Sequence, residues 1–379
     1  MQIGGVVGSL PDAQSPDEPN TYESLELIKF TDTHLYQFPS RFHELEGLQD
    51  LTIETSRLSY LPEKFGAMKS LRHFYLGSSR LLRLPDSIGQ LPALQELAIT
   101  DSSLSSLPES FGQLQLLRSL NLARGRLTSL PEGFGLLPRL ESLNLDSNKL
   151  TALPRSLGLL VALRSLSAQS NLLTSLPDST GLLGALRSCN LQHNPLLSLP
   201  DNMGQLSALQ SLDVTETSLM ALPASFGQLA KLQTFLAAGT RLTSLPDSIG
   251  QLSNLESMSL AGTSVAALPA GFGGLVRLQM LSLVGTPLSC LPESLGELVL
   301  LQTLCLSNAP LHALPQGIGR LKTLQTLSLT STPLAKLPEG LPRLPMLRTL
   351  TLNDNALTSL PENMGQLGAL QELSLDHCP

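Results

Sequence analysis

The feature that most constrains this chain is a proline that returns every 23 residues without interruption. Such a fixed period indicates a repeat architecture, in which each repeat buries its apolar face against its neighbours. The length of 379 residues would otherwise suggest two or three domains at about 150 residues each, so the period changes the expected organisation. The prolines of the series are Pro39, Pro62, Pro85, Pro108, Pro131, Pro154, Pro177, Pro200, Pro223, Pro246, Pro269, Pro292, Pro315, Pro338 and Pro361.

Every repeat also carries the same apolar pattern. Numbered from position 1 at Leu25, it reads L-x-x-L-x-L-x-x-(N/T/S)-x-L-x-x-L-P-x-x-(F/I/L/M)-G-x-L. Leucines two residues apart lie on one face of a strand. The residue after the proline is acidic in ten of fifteen repeats, and a proline followed by an acid suits the start of a helical turn. The pattern therefore predicts one strand and one short helical or extended segment per repeat.

This pattern resembles the leucine-rich repeat family over about residues 25–379. The resemblance implies an α/β fold, a leucine-rich repeat solenoid (horseshoe) with one parallel β-sheet on the concave face and short helical or extended segments on the convex face. We expect residues 1–24, which are rich in proline and acids, to form a flexible N-terminal lead. Residues 25–379 then hold fifteen full repeats and a truncated sixteenth, which predicts that the chain is a fragment of a longer protein; the alternative is a natural end with a frayed last repeat.

Position 9 is asparagine in many members of the family, where its amide bonds backbone groups of neighbouring turns as a ladder. The short polar residues found here can serve the same turn. Gly125 and Ala309 depart from the pattern, and we expect local gaps in the ladder there. The other residues of the column are Asn148, Asn171, Asn194, Asn355, Thr33, Thr217, Thr240, Thr263, Thr286, Thr332, Ser56, Ser79, Ser102 and Cys378.

Composition excludes several classes of function. A formal charge of -7 gives no basic footprint for nucleic acid, and no apolar run approaches the 18 or so residues of a membrane span. The four cysteines lack zinc-ligand spacing, and the six histidines fall in different repeats. We therefore expect no metal, no cofactor, no catalytic residue and no membrane contact. The missing capping cysteine pairs predict an intracellular reducing environment.

The candidate site is the outward face of the strands, at positions 3, 5, 7, 8 and 10. Charge and bulk concentrate in the first six repeats, and position 10 forms a basic column. We predict that this face binds a partner protein with an acidic surface; the alternative is a solvated face whose charges Glu54, Asp101 and Asp146 partly neutralise. The predicted partner-binding residues are Lys29, Arg57, His73, Tyr75, Arg80, Glu96, Asp101, Arg124, Arg126, Asp146 and Lys149.

A second candidate is a shallow apolar patch later in the chain. It would consist of Leu236, Met280 and Val284, beside the glycines Gly239, Gly262 and Gly285. The alternative interpretation is drift between repeats, without a binding role.

The phrase LP-(D/E)-S-(F/I)-G-Q-L, found at 85–91, 108–114 and 246–252, resembles two groups within the family. One comprises intracellular plant-type and Ras-scaffold proteins, the other the type III effectors of plant-associated bacteria. Seventeen arginines against seven lysines favour the bacterial group. The resemblance implies a protein-protein interaction module, the target-recognition part of an effector secreted into the host cell cytoplasm. The alternative is the substrate-recognition half of a ubiquitin ligase whose catalytic domain lies outside this chain. The sequence leaves the oligomeric state open.

Overall fold

The structure, a computed structural model, describes residues 25–31, 35–39 and 41–379. The chain divides into two compact units, Met1–Leu186 and Arg187–Pro379, which we call the N-terminal unit and the C-terminal unit. The predicted flexible lead at residues 1–24 and the ladder residue Thr33 lie outside the described residues.

Each described repeat contributes one short strand, and the strands within a unit pair in parallel with their neighbours in chain order. The register advances by one repeat per strand, as in Leu27 opposite Asp50. This arrangement confirms the predicted fold class. The strands of the N-terminal unit are β1 (Leu27–Phe30), β2 (Asp50–Ile53), β3 (His73–Leu76), β4 (Glu96–Ile99), β5 (Ser119–Asn121), β6 (Ser142–Asn144) and β7 (Ser165–Ser167). Those of the C-terminal unit are β8 (Ser188–Asn190), β9 (Ser211–Asp213), β10 (Thr234–Leu236), β11 (Ser257–Ser259), β12 (Met280–Ser282), β13 (Thr303–Cys305), β14 (Thr326–Ser328), β15 (Thr349–Thr351) and β16 (Glu372–Ser374).

The segment after each recurring proline is a short 3-10 helix, which gives the predicted helical turn its form. Most of these helices begin directly after the proline, whose ring fixes φ near the value that the turn needs, as at Pro108 with φ -71°. In the N-terminal unit they are Phe42–Glu44, Phe65–Ala67, Asp86–Gln90, Glu109–Gln113, Glu132–Leu136, Arg155–Leu159 and Asp178–Leu182. In the C-terminal unit they are Met203–Gln205, Ala224–Gln228, Asp247–Gln251, Ala270–Gly274, Glu293–Glu297, Gln316–Arg320, Leu341–Arg343 and Glu362–Gln366.

The core of each unit is a stack of aliphatic layers, one per repeat. Positions 1, 4, 6, 11, 14, 18 and 21 point inward, so the leucines that define the sequence pattern are buried. Burying one such side chain stabilises the fold by about 1.5–3 kcal/mol. In the fifth repeat the buried set is Leu117, Leu120, Leu122, Leu127, Leu130, Phe134 and Leu137.

The position-9 residues bond the backbone in two different ways. Asn148 Nδ2 donates to the carbonyls of Leu122 in the previous repeat (2.8 Å) and of Leu145 in its own (3.0 Å), and its Oδ1 accepts from Leu127 N (3.0 Å). Thr240 Oγ1, by contrast, donates to Ala237 O (2.8 Å) within its own repeat. Asn148 therefore ties two repeats together, whereas Thr240 closes the turn of its own repeat.

The backbone around Gly125 is bonded by the ladder residue of the next repeat. Asn148 Oδ1 lies 2.7 Å from the point where a Cβ of residue 125 would sit, and the Asn148 amide satisfies backbone groups on both sides of that glycine. Asn171 bonds the repeat of Asn148 in the same way, through Leu145 O and Leu150 N, so these bonds do not replace the ones that position 125 lacks. The ladder has no side chain at Gly125, as expected. At Ala309 the side chain is buried and carries no donor.

A second ladder runs along the 3-10 helices, built from the serine at position 17 and the glycine at position 19. Ser156 Oγ donates to Glu132 O (2.6 Å) and accepts from Gly135 N (3.3 Å), both in the preceding repeat. A Cβ added to Gly135 would lie 2.2 Å from Ser156 O, so the repeats approach too closely here for any other residue. We call this the Ser–Gly column.

Position 8 adopts a left-handed backbone from Ser78 onward. The side chains there have φ between 38° and 59°, and three glycines take 67° to 68°. A left-handed residue with a Cβ is strained, so glycine fits this position best. The non-glycine members among the described residues are Ser78, Asp101, Arg124, Ser147, Ser170, His193, Glu216, Asn308, Ser331, Asp354 and His377, and the glycines are Gly239, Gly262 and Gly285.

Replacing Gly135 by Ala tests the Ser–Gly column. The new methyl group collides with a backbone carbonyl of the next repeat, so we expect a loss of about 1–3 kcal/mol, seen as a lower urea midpoint. Gly184→Ala is the matched control in the same unit, because nothing lies within 4 Å of the added Cβ. Equal midpoints for the two variants would contradict the close approach.

Truncation of the position-9 column should separate the two bonding modes. Asn148→Ala removes hydrogen bonds to two repeats and leaves Leu127 N without its acceptor, which should cost about 3 kcal/mol. Ser102→Ala in the same unit removes one long bond from Leu104 N (3.3 Å), and about 1 kcal/mol or less should be lost. Urea unfolding of both variants measures the two losses in free energy of unfolding. Similar losses would contradict a cross-repeat role for Asn148.

Candidate protein-binding surface

The outward face of strands β1–β7 and the residues that follow them form parallel rows, one row for each outward position of the repeat. We call this the strand face of the N-terminal unit. Because paired strands lie about 4.8 Å apart, residues at one position in consecutive repeats are direct neighbours. Tyr75, for example, stands in register between Thr52 and Ala98, and His73 between Asp50 and Glu96.

Three carboxylates on this face are held by basic groups beside them. Glu54 Oε1 lies 2.6 Å from Lys29 Nζ, and Asp50 Oδ1 lies 2.5 Å from His73 Nδ1. Asp101 receives two bonds from Arg124, from Nε at 2.6 Å and from Nη2 at 2.8 Å. The hydrogen bond from the Arg124 guanidinium lowers the pKa of Asp101, and the same bond raises the pKa of Arg124.

Asp146 is occupied by the next repeat. Its Oδ1 accepts from Ser167 Oγ (2.6 Å) and from Gln169 N (3.0 Å), and its Oδ2 accepts from Gln169 Nε2 (3.2 Å). None of Glu54, Asp101 and Asp146 forms an ion pair with a position-10 residue. The direct partners of these acids thus lie outside position 10, and partial neutralisation of the column through space stays a prediction.

The basic column at position 10 consists of Arg57, Arg80, Arg126 and Lys149, all exposed. Lys149 N donates to Leu127 O (2.8 Å). Because Leu127 directly follows Arg126 in the chain, this bond brings the backbone of Lys149 next to that of Arg126. Among the described residues, the side chains of Arg80, Arg126 and Lys149 have no hydrogen bond or ion pair, and the Arg57 side chain donates a hydrogen bond to Tyr36 Oη. The structure thus leaves four cations of this column without a carboxylate.

The aromatic and acidic members of the predicted site stand on β3 and β4. Tyr75 is 39% exposed, and its hydroxyl lies 2.9 Å from the point where a Cβ of Gly77 would sit, so the missing side chain makes room for the ring. Glu96 is exposed in the row of His73. The predicted residues therefore share one face, but only part of the set is free to contact a partner.

In the C-terminal unit, two members of the predicted apolar patch, Leu236 and Met280, stand two strands apart. Ser259 faces Leu236 and Ser257 faces Met280, so β11 separates the two. Met280 instead borders a shallow cavity of about 230 Å³, lined mostly by polar residues, with Gln279 and Gln302 among them. The three accompanying glycines are the left-handed residues of position 8, which gives them a backbone role.

Sequence reasoning missed two exposed sets in the N-terminal unit. The first set lies at positions 12 and 13, on the loop that follows the strand face, and consists of Tyr36, Tyr60, Leu82 and Arg83. Its exposure was not apparent from the sequence, because these positions stand between the buried leucines of positions 11 and 14. The second set is Leu136, Leu159 and Leu182 at position 20, each more than half exposed. Comparison of position 20 between repeats would have revealed this set, because the glutamine that is common there indicates an exposed position.

Burial affects two of the four cysteine thiols. Burial raises the pKa of Cys189 to about 12 and also raises the pKa of Cys305. In the part of the chain that the structure describes, no group of three or more His, Cys, Asp or Glu side chains could hold a metal ion. No helix in that same part is long and apolar enough to cross a membrane.

The pKa of Asp101 should depend on Arg124. Arg124→Gln removes the cationic partner, so the pKa should rise toward its ordinary value near 4, measured by carboxyl carbon NMR. Because the folded-state pKa is lowered, the pair stabilises the fold above the unfolded-state pKa, and this contribution disappears as the pH falls through the folded-state pKa. Arg126→Gln is the control and should leave the pKa of Asp101 unchanged; an equal rise there would contradict the pairing.

Comparison with known proteins agrees with this architecture. A family described as "Leucine-rich repeat region" matches residues 174–264 and 293–378, and one described as "Leucine rich repeat" matches residues 69–127 and 115–173. No curated protein sequence matches the chain.

Solved structures are similar over most of the chain. A leucine-rich repeat protein of Leptospira interrogans is 35% identical, with 91% of this chain and 88% of that chain covered and a TM-score of 0.82. The plant peptide hormone receptor RGFR1, in complex with RGF2, is 21% identical, with 93% and 68% covered and a TM-score of 0.71. The Toll–Spatzle complex of Drosophila is 20% identical, with 91% and 53% covered and a TM-score of 0.76. The last two show the fold alone, whereas the first, with the family matches, shows that this chain belongs to the leucine-rich repeat family.

Proposed function

We propose that this chain is a protein-binding module that holds its partner on the strand face of the N-terminal unit. The observation that carries the proposal is the basic column at position 10, whose cations have no carboxylate although acids stand on the same face. An acid already paired within the face has little to offer a partner. Exposed, unpaired arginines attract an acidic surface and fix its orientation.

The partner contacts would centre on the column and Tyr75. Arginine and tyrosine are over-represented among the residues that dominate binding energy at protein interfaces. Leucine-rich repeat proteins are in general non-catalytic binding scaffolds, and two of the similar structures are named as complexes, one with RGF2 and one with Spatzle. These likenesses support a protein partner for this chain.

We further propose that the module is the target-recognition part of a bacterial effector that acts inside a host cell. The similarity to a Leptospira protein supports a bacterial origin. The four cysteines are all free, which supports a reducing compartment. The alternative, the substrate-recognition half of a ubiquitin ligase, rests on the repeat phrase alone and stays a prediction.

Charge reversal of the column tests the binding proposal. The variant Arg57→Glu, Arg80→Glu, Arg126→Glu, Lys149→Glu should lose the proteins that the wild type captures from a host-cell lysate, by about tenfold or more in quantitative mass spectrometry. Because all four side chains are exposed, the circular dichroism spectrum should be unchanged.

Arg241→Glu provides the control, because Arg241 is exposed at the same position 10 in the C-terminal unit. It should capture the same proteins as the wild type. If the column variant also captures them at wild-type levels, the basic column is not the binding site.

A further inference from the structure

We infer that the binding site continues from the basic column onto the adjoining loops, and that this extension receives an acidic linear segment of the partner. The surface, which we call the loop flank, consists of Tyr36, Arg57, Tyr60, Arg80, Leu82 and Arg83. The inference rests on the proposed function, because Arg57 and Arg80 belong to both surfaces. It adds a second set of contacts and the chemical class of the ligand.

Contacts between three successive repeats hold the loop flank together. Arg57 Nη1 donates to Tyr36 Oη (2.7 Å), and the Arg57 guanidinium carbon lies 5.6 Å from the centre of the Tyr36 ring. Tyr60 Oη donates to Gln37 Oε1 (2.5 Å), beside Tyr36. Leu82 N donates to Ser59 O (3.4 Å), which places Leu82 next to Tyr60. The flank is therefore one continuous surface.

The flank combines exposed apolar area with cations. Tyr36 is 55% exposed, Tyr60 47% and Leu82 57%. Rigid aromatic side chains supply contact area at a low cost in conformational entropy, and the Arg57 guanidinium is already oriented by the Tyr36 hydroxyl. A bound segment would thus meet an apolar strip bordered by three guanidinium groups.

The positive charge of the loop flank indicates that the bound segment carries carboxylates. Positions 10 to 13 hold no Asp or Glu in any of the fifteen full repeats, although the whole chain has a formal charge of -7. The nearest acids along these loops, Glu63 and Asp86 at position 16, form no ion pair with the flank. Arg80 and Arg83 have no partner among the described residues. Carboxylates of a ligand are the complement of this surface, and paired strands about 4.8 Å apart put two cations within reach of a few residues.

A protein segment fits the flank better than a nucleic acid does. A nucleic acid carries its charge over a long backbone, and its binding usually needs a basic stripe on a basic domain. Here three arginines stand on a chain whose net charge is negative. A short segment with two or more carboxylates can satisfy those arginines without extending over the acidic remainder.

The test uses fluorescence anisotropy with the full chain. Its probes are a fluorescein-labelled dodecapeptide that alternates Glu with Ser, the same peptide with Lys in place of Glu, and a labelled deoxythymidine dodecamer. The wild type should bind the Glu peptide, with affinity falling as salt rises, and should not bind the Lys peptide at about 1 mM. The variant Arg80→Glu, Arg83→Glu should bind the Glu peptide about tenfold more weakly or worse, and Tyr60→Ala should also weaken it.

Arg241→Glu, Lys336→Glu is the matched control, because it reverses exposed charges at the same two positions, 10 and 13, in the C-terminal unit. It should bind the Glu peptide like the wild type. No binding of that peptide, equal binding by the flank variant, or tighter binding of the deoxythymidine dodecamer would overturn the inference.

The variant Arg126→Glu, Lys149→Glu keeps the two proposals apart, because it changes the column outside the flank. It should retain the Glu peptide yet lose capture of the partner. If capture of the partner persists in this variant and in the four-residue column variant, the strand-face proposal fails. Binding of the Glu peptide then still tests the loop flank independently.

Discussion

The rest of this structure depends on how closely one repeat can approach the next along the 3-10 helices. In the Ser–Gly column, a Cβ on the glycine would sit only 1.8–2.5 Å from the carbonyl oxygen of the following repeat in the described contacts of this kind. The serine hydroxyl bonds the preceding repeat across the same gap, as Ser225 Oγ does to Asp201 O at 2.6 Å. The spacing of the strands, and hence of every row on the strand face, is compatible with this approach because side chains are kept out of it.

The position-9 asparagines and the Ser–Gly column leave the outward positions of the strands free to vary. Both sets of residues hydrogen-bond neighbouring repeats without using those positions. The N-terminal unit therefore carries cations, acids and an aromatic ring there, whereas β11, β14 and β15 carry mainly small hydroxyl side chains on the same positions. Binding specificity can therefore change there while the bonds of the position-9 asparagines and of the Ser–Gly column are kept.

Periodicity was enough to predict the strand in each described repeat, the helical turn after the proline and the buried leucines, because each depends on local pattern alone. Periodicity could not predict which side chains pair with one another. The pattern places Asp101 and Arg124 in consecutive repeats, but whether Asp101 turns toward Arg124 or toward the basic column depends on backbone direction at position 8 and on side-chain geometry. Tyr36 was missed for a related reason, since its contact with Arg57 joins two different positions of two repeats.

The left-handed backbone at position 8 changes how side chains there should be interpreted. Glycine is the relaxed choice, and each of the other residues costs about 1 kcal/mol or more in backbone strain. Three repeats have glycine there, Gly239, Gly262 and Gly285, whereas the other repeats from Ser78 onward keep a side chain. Asp101 and Arg124 carry charged side chains at this position in adjacent repeats, and their ion pair offsets only a small part of the strain because it is exposed to solvent. Exchanging either residue for glycine would relieve this backbone strain, so the strand face can lose a charge at position 8 at little cost in stability.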